Sequence, residues 1–107
     1  MYILNTSILT GFGSFIYEPI EENRVVAEMQ HYGFTSAIGH KGAADAINAV
    51  LAPYQIVVKV NRIQAYMKVN DTAIVFKLKS RIAEGTILNK QEVEKIGFEW
   101  GMITRTE

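Results

Sequence analysis

The segment Ser36–Gly42 places a histidine where a predicted strand gives way to a predicted helix. His40 follows Gly39, and the unpaired backbone amides of a helix start, next to glycines that allow close approach, form a natural site for a phosphate oxygen. The imidazole would then stand beside that phosphate and could transfer a proton to it or its ester oxygens. The competing interpretation is that the ring packs at the core edge, because it shares one helical stripe with Ala44, Ile47 and Leu51.

Arg81 and Glu84 offer a cation and a carboxylate three residues apart, close enough to share one site if the chain turns there. The alternative is a solvated ion pair worth about 0 to 1 kcal/mol, with no functional meaning. Gly11-Phe12-Gly13 lacks the Gly-Lys-Ser/Thr that would complete a phosphate loop, so it is interpreted as a turn. The sequence has no cysteine, and its two histidines are nine positions apart, so neither thiolate chemistry nor a usual metal-ligand spacing is predicted.

Basic residues are concentrated in the middle of the chain, although the formal net charge is zero. Residues 37–83 carry seven basic and two acidic side chains, a balance of +5. Residues 1–36 carry one basic and four acidic side chains, and residues 84–107 carry three and five, so the flanks cancel the excess. An anionic ligand is expected to meet the middle of the chain. The alternative is that these cations only solvate strand faces.

The 107 residues, 49% hydrophobic and 21% charged, are expected to form one domain over residues 1–107. Hydrophobic periodicity, glycines and prolines predict the following segments. Strands are predicted at 2–5, 14–20, 34–38, 62–69, 72–78 and 98–104. Helices are predicted at about 21–32, from Gly39-His40 to Pro53, and from a capping box at Asn89–Glu92 to Gly97. The pattern indicates an α/β fold with a mixed sheet of about five strands flanked by helices.

A basic hairpin is predicted within this sheet, because residues 62–69 alternate strictly and Asn70-Asp71 forms a plausible turn before residues 72–78. In that register Arg62 lies opposite Lys79, and the polar face carries like charges that a bound phosphate would neutralise. Tyr66 lies on the same face, where it could stack on a base.

Four segments in this order resemble the viral ring nucleases. They are Asn5 after a short first strand, Ile38-Gly39-His40 opening a helix, Asn61-Arg62-Ile63 opening a strand, and residues 80–88, Ser-Arg-Ile-Ala-Glu-Gly-Thr-Ile-Leu. That family comprises small proteins of archaeal viruses, bacteriophages and bacterial mobile elements, and its members act as anti-CRISPR proteins against type III systems. The resemblance runs through nearly the whole chain.

The resemblance implies a homodimer that encloses cyclic tetra-adenylate, the second messenger of type III CRISPR complexes. It implies cleavage, without metal or cofactor, to linear di-adenylate ending in a 2′,3′-cyclic phosphate. His40 then matches the catalytic histidine of the family, Glu84 its nearby acidic residue, and Arg62 and Arg81 its phosphate-contacting arginines.

The resemblance also implies ligand contacts from the segment after the first strand and from the start of the second helix. Asn5 matches a ligand-lining position, and Gly39 precedes the catalytic histidine. Relatives commonly carry a serine three residues after the asparagine, where this chain has Ile8, and Ser7 comes one residue earlier. Ser7 is therefore the polar side chain expected to contact the ligand from this segment.

The chemistry of RNA supports such a mechanism, because the ribose 2′-hydroxyl is itself the nucleophile. We expect His40 to act as a general acid for the departing 5′-oxygen, a role worth about 10² to 10⁴ in rate. A carboxylate at Glu84 would favour the charged ring, and Arg62 and Arg81 would hold the scissile phosphate with paired donors.

Two other classes of function remain open on the sequence. The first is a non-catalytic module that binds or sequesters a cyclic oligonucleotide or RNA on the basic hairpin, and the second is a viral protein whose charged face contacts another protein. No stretch approaches about 18 apolar residues, and the first residues lack a signal-peptide pattern. The expected location is the cytoplasm, that of the host if the protein is viral, with neither a membrane nor duplex DNA as a partner.

Overall fold

The computed structural model describes residues 1–5, 12–80 and 89–107. Among these, the strands are β1 (Tyr2–Leu4), β2 (Phe15–Pro19), β3 (Thr35–Ser36), β4 (Thr72–Leu78) and β5 (Phe98–Arg105). The helices are α1 (Glu22–Tyr32), α2 (Lys41–Leu51) and α3 (Lys90–Ile96), and a 3₁₀ turn, Ala52–Tyr54, follows α2. The predicted single α/β domain is confirmed. No helix in these three described ranges is both long and apolar enough to cross a membrane.

The five strands form one mixed sheet in the order β2-β5-β4-β1-β3. β1 runs parallel to both β3 and β4, whereas β5 is antiparallel to β4 and to β2. The carboxyl ends of β1, β3 and β4, at Leu4, Ser36 and Leu78, therefore meet at one edge of the sheet, which we call the carboxyl edge. Side chains that follow these strands are brought close together there, as at the ligand sites of other open α/β sheets.

One face of the sheet carries the three helices. Ile74 and Phe76 of β4 are buried against them, and Trp100 of β5 packs on the Phe76 ring with the ring centroids 4.9 Å apart. The helices contribute the apolar positions that the sequence pattern predicts, namely Val25, Val26, Met29, Ala44, Ile47, Leu51 and Val93. Each large side chain buried in this layer contributes roughly 1.5 to 3 kcal/mol to folding, so this layer fixes the helices on the sheet.

The predicted basic hairpin is wrong. β4 pairs with β1 on one side and β5 on the other, so neither side of this strand is open to residues 62–69. The continuous apolar run 73–76, buried on both faces, is typical of a central strand rather than of a hairpin arm. Lys77 lies opposite Glu99 of β5, and the predicted pairing of Arg62 with Lys79 does not occur.

The segment that was predicted as a hairpin arm instead crosses the other face of the sheet. Ala65 and Met67 are buried there, in one cluster with Leu4, Ala73, Val75 and Ile103. Gln64, Tyr66 and Lys68 are exposed, but so are Ile63 and Val69, so the alternation describes burial correctly only at the centre of the segment and describes pairing incorrectly. The turn before β4 is present, with the Asp71 amide donating to the Lys68 carbonyl at 2.9 Å.

A carboxylate at the start of α1 joins three parts of the fold. Glu22 accepts a hydrogen bond from the Trp100 indole at 3.2 Å and another from the Tyr54 hydroxyl at 3.3 Å. Its charge, followed by partial burial, raises the pKa of Tyr54 above the ordinary value of 10.0. Glu22 thus ties β5 and the turn after α2 to the first turn of α1, where a negative charge also suits the helix dipole.

Replacing Glu22 by alanine is expected to destabilise the protein, because the indole N–H of Trp100, which is 5% exposed, loses its acceptor. Leaving such a donor unsatisfied costs about 1 to 3 kcal/mol. Urea unfolding followed by the fluorescence of this single tryptophan measures the change. In Glu22→Gln the pKa of Tyr54 should fall back toward 10.0, as read by tyrosine absorbance. An unchanged midpoint in Glu22→Ala would show that the indole bond contributes nothing.

Candidate functional site

His40 is the N-cap residue of α2 and lies at the carboxyl edge, four positions beyond the end of β3. Its backbone is extended, and its Nδ1 accepts a hydrogen bond from the Ala43 amide at 3.2 Å. Serine, threonine, aspartate and asparagine are the usual N-caps, so a histidine in this position is not what a helix start by itself would select. The ring is half-buried, whereas Ala44, Ile47 and Leu51 on the same stripe are buried in the core.

The capping bond uses Nδ1 as its acceptor, and the imidazole form that can make this bond carries its proton on Nε2. Within the described part of the chain, Nε2 has no hydrogen-bond partner. The ring therefore offers one N–H donor to a ligand at the start of α2.

Arg62 bonds to the residue that precedes this histidine. Its Nε–H donates to the Gly39 carbonyl at 3.0 Å, which uses one of the five guanidinium donors, and among the residues that the structure describes the terminal nitrogens make no further hydrogen bond. Gly39 is exposed, and a Cβ added there would meet Arg62 Cγ at 3.7 Å, an ordinary contact. The structure thus brings together the predicted site residues Gly39, His40 and Arg62.

The local charge favours an anion at this place. The first turn of α2 has no acidic residue, so the positive end of its dipole is not neutralised from within the helix. Lys41 opens the helix and is exposed, and Arg62 lies on the other side of Gly39. Backbone amides, an imidazole N–H and two cations are a donor set suited to a phosphate group.

The remaining predicted residues divide into two groups. Asn5 follows the end of β1 at the carboxyl edge and is half-buried. Ser7, Arg81 and Glu84 lie outside the described residues, so their predicted roles stay predictions. Tyr66 is exposed, as expected for a stacking residue, and its hydroxyl donates to the Gln64 side chain.

Three side chains, whose roles sequence reasoning missed, bond the segment that leads to Arg62 to β3 and α2. Asn61 donates from its side chain to the Ser36 carbonyl at 2.8 Å, and Ser36 donates from its hydroxyl to the Lys59 carbonyl. Asn48 of α2 pairs with both backbone groups of Val58, at 2.8 and 2.7 Å. Asn61 and Ser36 stand in segments that the sequence singles out, but no local pattern specifies the backbone groups that these side chains bind.

Comparison with known proteins gives a consistent family and fold. Residues 1–100 match a family described as STIV B116-like. The uncharacterized protein ORF117 of Acidianus two-tailed virus is 36% identical over 113 residues, covering 100% of this chain and 94% of that protein. The uncharacterized protein YddF of Bacillus subtilis is 28% identical over 106 residues, covering 97% of this chain and 95% of that protein.

The fold is also similar to that of a solved structure over nearly the whole length. B116 of Sulfolobus turreted icosahedral virus superimposes with a TM-score of 0.71, covering 96% of this chain and 97% of that one. The sequence identity is 18%, so this likeness concerns the fold alone.

Proposed function

This chain belongs to the STIV B116-like family, and from its resemblance to the viral ring nucleases and the bond of Arg62 to the residue before His40 we propose that it cleaves cyclic tetra-adenylate without a metal ion. The observation that carries the proposal is the hydrogen bond from Arg62 Nε to the carbonyl of Gly39, the residue before His40, at 3.0 Å. The expected role is to switch off type III CRISPR signalling.

In the proposed reaction the ribose 2′-oxygen attacks the neighbouring phosphorus, and the bond from that phosphorus to the 5′-oxygen of the next nucleotide breaks. The 2′-hydroxyl gives its proton to water or a base, and the 5′-oxygen receives a proton. Each cut leaves a 2′,3′-cyclic phosphate and a 5′-hydroxyl, so two cuts convert the ring into two linear di-adenylates. Arg62 would offset the charge that develops on the phosphate, and Arg81 is expected to assist it.

His40 has to change its bonding before it can act as the acid. A neutral ring with its proton on Nε2 can donate a hydrogen bond, but complete transfer of that proton also requires a proton on Nδ1. The ring must therefore release the Ala43 amide. A phosphate oxygen at the same helix start can accept from that amide in its place, so ligand binding and charging of the ring would favour each other.

A homodimer is part of the proposal. A ring of four equal nucleotides can lie on a twofold axis and present equivalent phosphates to two copies of the site. Exposed apolar side chains beside Arg62 supply a surface that a second copy could bury. They recur at every third position of one segment, at Val57, Val60, Ile63, Tyr66 and Val69.

The proposal predicts that the purified protein converts cyclic tetra-adenylate to linear di-adenylate with a 2′,3′-cyclic phosphate in the presence of a chelator. Chromatographic separation of products and their masses measure this conversion, with cyclic hexa-adenylate incubated in parallel to determine ring-size preference. Intact tetra-adenylate after prolonged incubation with stoichiometric protein would overturn the enzymatic proposal.

The second candidate is a module that binds the cyclic oligonucleotide without cutting it. The bond between His40 Nδ1 and the Ala43 amide favours this alternative, because it occupies the nitrogen that would have to take up a proton before the ring could act as an acid. Tight binding of cyclic tetra-adenylate with no product in the same incubation would support it.

A further inference from the structure

Residues 59–62 run beside residues 36–39 and are joined to them largely by hydrogen bonds from side chains. The Ser36 hydroxyl donates to the Lys59 carbonyl, the backbone N–H of Asn61 donates to the Ile38 carbonyl at 2.8 Å, and the Arg62 side chain donates to the Gly39 carbonyl. In each of these pairs the two residues are 23 positions apart. A constant difference means that the two segments run in the same direction, as in a parallel pair.

Asn48 fixes this segment to α2 from the other side. Its amide nitrogen donates to the Val58 carbonyl at 2.8 Å, and its amide oxygen accepts from the Val58 nitrogen at 2.7 Å. A single side chain thereby satisfies both backbone groups of a residue that no strand pairs. Val58 itself is buried in the helix-side core, so the start of the segment is held by packing as well.

These contacts make one unit of β3, α2 and the segment 59–62. In a parallel crossover, the start of the helix and the carboxyl end of the second strand lie at the same edge. His40 lies at the start of the helix, and Arg62 lies at the end of the segment 59–62, which takes the place of the second strand. The distance between the two site residues is therefore set by Ser36, Asn48 and Asn61, none of which needs to touch a ligand.

We propose that Asn61, assisted by Ser36 and Asn48, is a positioning residue that fixes the Arg62 guanidinium against Gly39 so that it meets the same phosphate as His40. This inference rests on the proposed function for the identity of the ligand, and on the described hydrogen bonds for the geometry. Asn61 makes two hydrogen bonds to this part of the chain. Its backbone N–H donates to the Ile38 carbonyl, and its side-chain amide donates to the Ser36 carbonyl.

The first test is a double-mutant cycle. Asn61→Ala is expected to lower kcat/KM for cyclic tetra-adenylate by about 10-fold in the wild-type background, but by less than about 2-fold when Arg62 is already alanine. Equal losses in the two backgrounds would overturn the proposal, because a purely structural residue acts independently of Arg62.

Matched variants separate positioning from loss of stability. Ser36→Ala should lower kcat/KM in the same manner, whereas Ser36→Thr, which keeps the hydroxyl, should restore it. Asn89→Ala is the control: Asn89 also makes a structural bond, accepting from the Glu92 amide at 2.8 Å, but it caps α3. It should lower the melting temperature without coupling to Arg62, and a coupling as large as that of Asn61 would count against the proposal.

The second test does not depend on cleavage. The ¹⁵Nε–H resonance of Arg62 should be protected from solvent exchange in the wild type and lose this protection in Asn61→Ala, with the fluorescence of Trp100 confirming that the variant is folded. Unchanged protection overturns the positioning role, whatever the activity. Lost protection in a protein that never cuts the ring supports the positioning role and removes only the enzymatic proposal.

Discussion

Replacing His40 by asparagine is expected to lower the rate of cyclic tetra-adenylate cleavage by about 10²- to 10⁴-fold while binding stays within about 3-fold of wild type. Asparagine is among the best N-cap residues, and its side-chain oxygen can accept from the Ala43 amide as Nδ1 does now. The variant therefore keeps the N-cap of α2 and removes only the proposed general acid. Single-turnover cleavage and equilibrium binding of the same ligand measure the two effects separately.

The alanine variant at the same position provides the contrast. His40→Ala removes the cap together with the proton donor, so it should lose about 1 kcal/mol of stability in addition to activity. Comparing the two variants shows how much of any loss comes from the helix start. If His40→Asn cleaves the ring as fast as wild type, the general-acid role is wrong, and the backbone amides with the arginines must account for the rate.

Replacing Arg62 by alanine is expected to weaken binding of cyclic tetra-adenylate by roughly 10- to 150-fold, the equivalent of one hydrogen bond to a charged group at 1.5 to 3 kcal/mol. Arg62→Lys should fall between this variant and wild type, because lysine keeps the charge but not the planar pair of donors. Binding titrations at several salt concentrations should also show a shallower salt dependence in Arg62→Ala, since one phosphate contact is lost.

Lys68 supplies the matched control for charge. It lies on the same segment and is exposed like Arg62, but it belongs to the turn that precedes β4, away from the carboxyl edge. Its backbone, not its side chain, bonds to Asp71, so Lys68→Ala leaves the turn intact. A loss below about 2-fold is expected, because the charge is distant and screened. Equal losses in both variants would mean that general attraction, rather than a specific arginine contact, binds the ligand.

The arginine prediction also separates the leading proposal from the third interpretation, a protein-binding role. If Arg62→Ala leaves binding of the cyclic nucleotide unchanged, the site at the carboxyl edge does not hold its phosphate. The exposed residues of the 62–68 segment would then be better understood as a contact surface for another protein.

Local sequence determined most of the regular elements, because their signals lie within one or two turns of the chain. Asn89 caps α3 by accepting from the Glu92 amide, as the capping-box pattern predicts. The apolar spacing of Val25, Val26 and Met29 gives α1, and the alternation that puts Phe98, Trp100 and Met102 on one side gives β5. His40 at the start of α2 was predictable for the same reason, since the strand, the glycine and the helix are adjacent.

Only the tertiary structure decided which partner each extended segment takes. Residues 62–69 alternate in the same way whether they pair with a neighbouring strand or lie across the face of a sheet, because alternation contains no information about hydrogen bonds. β4 found its partners in β1 and β5, which are far from it in sequence. Arg62 consequently faces Gly39 instead of Lys79, through contacts that connect residues 23 positions apart and that no local pattern encodes.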